Sequence, residues 1–188
     1  ARFQDRQTRR MSAYGAARKD REIRRCDRMK TGIQLYSLRN HIAENGLDSA
    51  LKLVSDAGFD GVEFAGFYDI PASELQALLD KYSLAAFSAH IGIDKMQCEL
   101  PAALKLGIRN AVVPWLALDD PDEFDKAVAD LPRTAKELRE RGVSLGYHNH
   151  AHEFKNGTDK VTELAARVNG LTLEPDVFWL AVAGVDAC

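Results

Sequence analysis

No apolar stretch in this sequence approaches the roughly 18 to 20 residues that a membrane-spanning helix requires, because its longest runs are broken by Gly, Asp or Lys. Membrane spanning is therefore not expected. Cysteine is scarce as well. Cys26, Cys98 and Cys188 are odd in number and far apart, with no Cys-x-x-Cys pair. That excludes a zinc ribbon or a dithiol redox centre and fits a reducing, cytoplasmic compartment. No Gly-x-Gly-x-x-Gly follows the first apolar run, so the dinucleotide fingerprint is missing, and no Gly-rich phosphate cradle is evident. What remains is 188 residues, 46% hydrophobic and 28% charged, the profile of a globular chain able to bury a core.

The net charge of −3 hides an asymmetry. Residues 1 to 28 carry ten Arg or Lys against four Asp or Glu, net +6, so residues 29 to 188 carry −9. The basic segment lacks helical or strand periodicity, whereas Met29-Lys30-Thr31-Gly32-Ile33-Gln34-Leu35-Tyr36 reads like a protein start running into a first strand. Two domains of unequal character are expected: a disordered basic leader over 1–28 and a folded domain over 29–188. A twin-arginine signal at Thr8-Arg9-Arg10-Met11 would need an apolar core next, and Arg18, Lys19, Asp20 and Arg21 interrupt it. The folded part is acidic, so nucleic acid is not an expected partner.

From Thr31 onward short apolar runs alternate with helical patterns. Strands are expected at Ile33–Tyr36, Gly61–Phe64, Ala85–His90, Ala111–Trp115, Val143–His148 and Leu171–Glu174. Helices are expected between them, with apolar faces such as Ala50, Leu51, Leu53, Val54 and Ala57, or Leu75, Leu78 and Leu79. The longest, 121 to 141, has Asp119 or Asp120 as N-cap, Pro121 at the first position and Gly142 as its stop. Six such units imply a parallel sheet, either open and doubly wound or a (β/α)8 barrel. Gln34, Glu63, His90, Trp115, His148, His150 and Asp176 all fall at or beside strand C-termini, and a barrel gathers those ends around one mouth. The expected fold class is therefore α/β, a TIM barrel with about six units.

The densest chemistry lies in Tyr147-His148-Asn149-His150-Ala151-His152-Glu153-Phe154, where three of the five histidines fall within five positions beside a carboxylate. Neutral nitrogen ligands, a base active near pH 7 and an anionic oxygen occur together there. Together with Gly32-Ile33-Gln34-Leu35-Tyr36-Ser37-Leu38-Arg39, Gly58-Phe59-Asp60-Gly61-Val62-Glu63-Phe64 and Asp176-Val177-Phe178-Trp179, the segment resembles the xylose-isomerase-like TIM-barrel superfamily of sugar phosphate isomerases and epimerases. The resemblance covers residues 30 to 186. It implies a divalent metal at the barrel mouth, commonly Mn²⁺, with Mg²⁺, Co²⁺ or Zn²⁺ as alternatives. By motif position Glu153 and Asp176 would be its ligands and His150 the acid/base, with Glu63, His90, Trp115 and His148 contacting a small sugar or sugar derivative. His148 shares a strand face with His150 by period-two alternation, while Glu153 has the opposite parity and reaches the same space only if the strand turns after His150.

Such a barrel typically has about 250 residues, so the expectation is a C-terminally truncated domain that lacks strands seven and eight and their His and Glu ligands. Open sheet edges would favour self-association into a homo-oligomer. The expected reaction is isomerisation or epimerisation through an enediolate, formed by proton abstraction next to a carbonyl. A related lyase or dehydratase, a DNA-repair barrel and a non-catalytic incomplete subunit are the alternatives. The competing structural roles are an ion pair to Arg39 for Glu63, a satisfied core position for His90, core capping for Trp115 and a helix N-cap for Asp176. His152 is expected to face solvent.

Overall fold

The computed structural model describes residues 29–186, so the expected leader over 1–28 lies outside the described residues. From Gly32 onward the chain forms six parallel strands: β1 (Gly32–Gln34), β2 (Gly61–Ala65), β3 (Ala85–His90), β4 (Asn110–Val113), β5 (Ser144–His148) and β6 (Leu171–Glu174). Their order in the sheet is their order in the sequence, with no reversal. A doubly wound sheet needs a reversal to create its switch-point crevice. This one is an incomplete (β/α) barrel in which β1 and β6 are the edges among the described residues.

The helices are α1 (Arg39–Asp56), α2 (Ala72–Tyr82), α3 (Met96–Lys105), α4 (Pro121–Glu140), α5 (Lys160–Arg167) and α6 (Val177–Ala183). Most of the residues that gave each its periodicity are the ones it buries: Ala50, Leu51 and Val54 on α1, Leu75 and Leu79 on α2, Phe124, Leu131 and Leu138 on α4; Leu53 and Ala57, expected on the α1 face, are exposed. Asp120 caps α4 by accepting from the backbone N–H groups of Asp122 and Glu123, with Pro121 at the first position.

Several expected boundaries move, and β4 stops at Val113, short of the expected Trp115. β1 stops at Gln34, because Leu35–Leu38 wind into a 3₁₀ turn that buries Leu35. α1 begins at Arg39, well before its apolar face, and contains a break at Gly46, whose φ of 82° suits glycine.

Strand register sets up the site. Gln34 pairs with Glu63, Glu63 with Ser88, Ala65 with His90, and His148 with Glu174. Side chains alternate along each strand. In β5, Leu145 and Tyr147 join the hydrophobic core, while His148 stays half-buried at the strand end. Close packing at the opposite end of the sheet relies on Gly61. A Cβ there would collide with the carbonyl oxygen of Ala85 and come within 2.9 Å of the Phe87 ring. Gly61→Ala is expected to lower unfolding stability by about 1–3 kcal/mol, read as a lower urea midpoint at unchanged slope.

Candidate active site

A cavity of about 990 Å³ opens at the C-terminal ends of the strands. Its floor holds four ionisable side chains from four strands. Glu63 is the middle residue of β2, and its carboxylate accepts from Ser88 Oγ at 2.5 Å. His90, at the end of β3, is nearly fully buried. Its Nε2 lies 2.9 Å from Glu174 Oε1 and 3.2 Å from Glu63 Oε1. Gln34 Nε2 lies 3.0 Å from His90 Nδ1. His148 Nδ1 is 3.1 Å from the same Glu174 Oε1, and its Nε2 is 3.6 Å from Asp176 Oδ2.

Two carboxylates so close cannot both ionise freely. Burial, followed by a hydrogen bond to Glu174, pushes Glu63 up to about 7. Burial also pushes Glu174 upward, but its bonds from His148, His90 and Glu63 win and hold it well below the ordinary range. Below about pH 7 these shifts put the shared proton on Glu63, directed at an ionised Glu174. Burial lowers His148, but the hydrogen bond it donates to Glu174 and that group's charge outweigh this and raise it overall. Burial, then the neighbouring His148, lowers His150 and keeps it neutral near pH 7. His150 lines the cavity, and its Nδ1 is buried with no hydrogen-bond partner.

The structure thus brings Glu63, His90, Trp115, His148, His150 and Asp176 to one mouth. Glu153 is elsewhere. After His148 the chain leaves the sheet, turns through Asn149–Ala151 and enters a 3₁₀ segment, His152–Gly157. That turn folds the Glu153 side chain inward, fully buried. Its carboxylate accepts from Tyr147 Oη at 2.6 Å and the His150 backbone N–H at 2.9 Å. It latches the loop that carries His150 and is not part of the cavity lining. Glu153 and Asp176, expected as a pair, do not fall in one donor group. Among the described residues, groups of three or more donors within 4.8 Å of one another are His90, His148 and Glu174, and separately His150, His152 and Glu153.

Other expectations resolve in detail. Asp176 does cap a helix, accepting from Phe178 and Trp179 N–H through Oδ1, yet its other oxygen faces His148. Glu63 does not pair with Arg39, whose guanidinium stacks 4.4 Å over the Tyr36 ring. His152 is turned inward, its Nε2 2.8 Å from the Leu116 carbonyl oxygen. Glu174 is the residue the sequence reading passed over. Its place at a strand end is the one signal in the sequence, and its pairing with His148 comes from the register.

No family model matches the chain, and no curated protein does. Solved structures share its fold, xylose-isomerase-like TIM barrels among them. A sugar phosphate isomerase/epimerase from Parabacteroides distasonis is 21% identical with a TM-score of 0.69, over 84% of this chain and 68% of that one. An AP endonuclease, family 2, from Brucella melitensis is 17% identical with a TM-score of 0.61, over 78% and 68%. The IOLI protein with a bound zinc atom is 17% identical with a TM-score of 0.59, over 84% and 66%. The chain spans about two thirds of the length of these three. At such identities the likeness is one of fold.

Proposed function

We propose that this barrel mouth moves a proton next to the carbonyl of a small sugar, as an isomerase or epimerase. One observation carries the reading: Glu63, His90, His148 and Glu174 converge from four strands into one hydrogen-bonded group that opens on a cavity. Buried titratable groups with opposed shifts, gathered in a cleft, are the arrangement acid/base catalysis needs.

His150 is neutral near pH 7, so it is the base that accepts the proton from carbon. Glu63, pushed up to about 7, is the acid that returns a proton to the substrate. Glu174 stays ionised and orients both His90 and His148. The donor set also fits a divalent ion, because two imidazole nitrogens and a carboxylate oxygen lie within 4.8 Å of one another. Gln34 Nε2 donates to His90 Nδ1, which puts the ring proton on Nε2 toward Glu174, and an ion would take that proton's place. Held by His90, His148 and Glu174, the ion would supply Lewis-acid polarisation of the sugar carbonyl. Nitrogen-bearing sets suit Mn²⁺, Co²⁺ or Zn²⁺ better than Mg²⁺.

The test is exchange. In D₂O with a ketose and Mn²⁺, NMR should show deuterium entering at the carbon beside the carbonyl. His150→Asn should slow that entry about 100-fold. No exchange with any free or phosphorylated sugar, or exchange that survives His150→Asn, removes the proton-transfer reading.

A further inference from the structure

We infer that Asn149 is a positioning residue for this mouth, a role that rests on the proton-transfer reading above: its side-chain amide fixes the exit of β6 against the exit of β5, so that Glu174 and Asp176 hold the His148 imidazole between them. Apart from Tyr147, the buried polar side chains among the described residues are His90, Asn149 and Glu153. His90 belongs to the hydrogen-bonded group on the cavity floor, and Glu153 latches its own loop. Asn149, 3% exposed, does neither. A turn asparagine bonds its own backbone about two residues on. This one reaches a residue 27 positions along the chain. Its Oδ1 accepts from the Asp176 backbone N–H at 2.8 Å, and its Nδ2 donates to the Asp176 carbonyl oxygen at 3.3 Å.

The reason for that reach is Pro175. The β5–β6 ladder ends with His148 opposite Glu174, and the residue after Glu174 is a proline with no N–H to give. The amide takes over where backbone pairing stops, offering the donor and the acceptor that a peptide group would supply. Asp176 is thereby held through its backbone, which leaves both carboxylate oxygens for other partners. Oδ1 accepts from the Phe178 and Trp179 N–H groups at the start of α6, and Oδ2 faces His148 Nε2 at 3.6 Å. Two residues earlier Glu174 meets His148 Nδ1 at 3.1 Å. One short segment thus carries both carboxylates around the imidazole, and the Asn149 clip sets where that segment runs. Asn149 does not line the cavity, so it acts through these groups. A displacement of about 1 Å among reacting groups costs on the order of 100-fold in rate.

The experiment compares the full chain with Asn149→Ala, which removes both bonds, and Asn149→Ser, whose hydroxyl is too short to make both. In the deuterium-entry assay either variant should lower kcat about 30-fold with KM within about threefold of wild type, the split that marks lost transition-state stabilisation rather than lost binding. NMR gives a readout that needs no turnover. The Nδ1–H signal of His148, which reports its bond to Glu174, should shift or vanish in Asn149→Ala, and the Asp176 backbone N–H should exchange with solvent at least about tenfold faster. Deuterium entry with an unchanged kcat, or a change in KM alone, overturns the inference and leaves the proton-transfer reading standing. No deuterium entry in the wild type removes that reading, and the NMR signals then decide: moved signals uphold the clip, and unmoved ones overturn it. Loss of the fold in both variants, seen by circular dichroism, also overturns it, because the amide would then serve the fold as a whole.

Discussion

Glu174→Gln slows deuterium entry into the sugar about 10²–10³-fold, and it moves the limb of the pH profile that belongs to Glu63 toward lower pH. Three donors converge on this carboxylate: His90 Nε2 at 2.9 Å, His148 Nδ1 at 3.1 Å, and the proton of Glu63. An amide offers one oxygen and an NH₂ group, so at least one of those donors meets another N–H. The imidazoles lose their fixed orientation, and Glu63 loses the neighbouring bond and charge that help hold it near 7. Its pKa then falls toward the ordinary carboxylate range. At neutral pH the acid is mostly deprotonated and ineffective. Rates measured across pH 5 to 9 separate this from a folding defect, because misfolding lowers the plateau without moving the limb. An unshifted limb with an unchanged plateau would show that Glu174 sits beside the chemistry without taking part in it.

The six strand–helix units were legible because each strand is a short apolar run and each helix carries a stripe at 3.6-residue spacing. The first half of α1 was not, since Arg39-Asn40-His41 and Glu44-Asn45 carry no such stripe and Gly46 interrupts the helix. Polar residues at strand ends were a sound guide to the mouth, which is how Glu63, His90, His148 and Asp176 come to share a cavity. Glu153 lies outside the cavity lining that its motif position suggested. Its parity already set it apart from His148, and the turn at Asn149–Ala151 sends it into the interior, where Tyr147 Oη donates to it. Glu174 went unread because Asp176, two residues on, resembled a ligand motif. Only register, which a single sequence does not print, puts Glu174 opposite His148. Trp115 stood out in the sequence, but it lies past the end of β4, and its contact with His152 depends on the 3₁₀ segment.

Glu63→Gln should make the fold more stable at pH 8 while abolishing exchange. The sign follows from proton binding in the two states. Glu63 ionises near its ordinary 4.5 when unfolded and at about 7 when folded. Between those values the folded state holds more protons, so stability falls as pH rises through the window and the full cost is present above 7. A difference of that size corresponds to roughly 3 kcal/mol. Glutamine reproduces the protonated acid: its oxygen accepts from Ser88 Oγ, and its NH₂ donates to Glu174 as the Glu63 proton does. It has nothing to ionise, so the cost disappears. Glu174, held low, stabilises the fold above 4.5 and loses that contribution only in acid, outside this window. His148, held high, also loses stability as pH rises through its folded value, so some slope survives in the variant. Urea unfolding at pH 5 and pH 8 gives the comparison. The wild type should weaken markedly between the two, the variant much less, and the curves should converge near pH 5. A variant no more stable than the wild type at pH 8 would mean that Glu63 ionises without strain, and with it the acid in the proposed reaction would be lost.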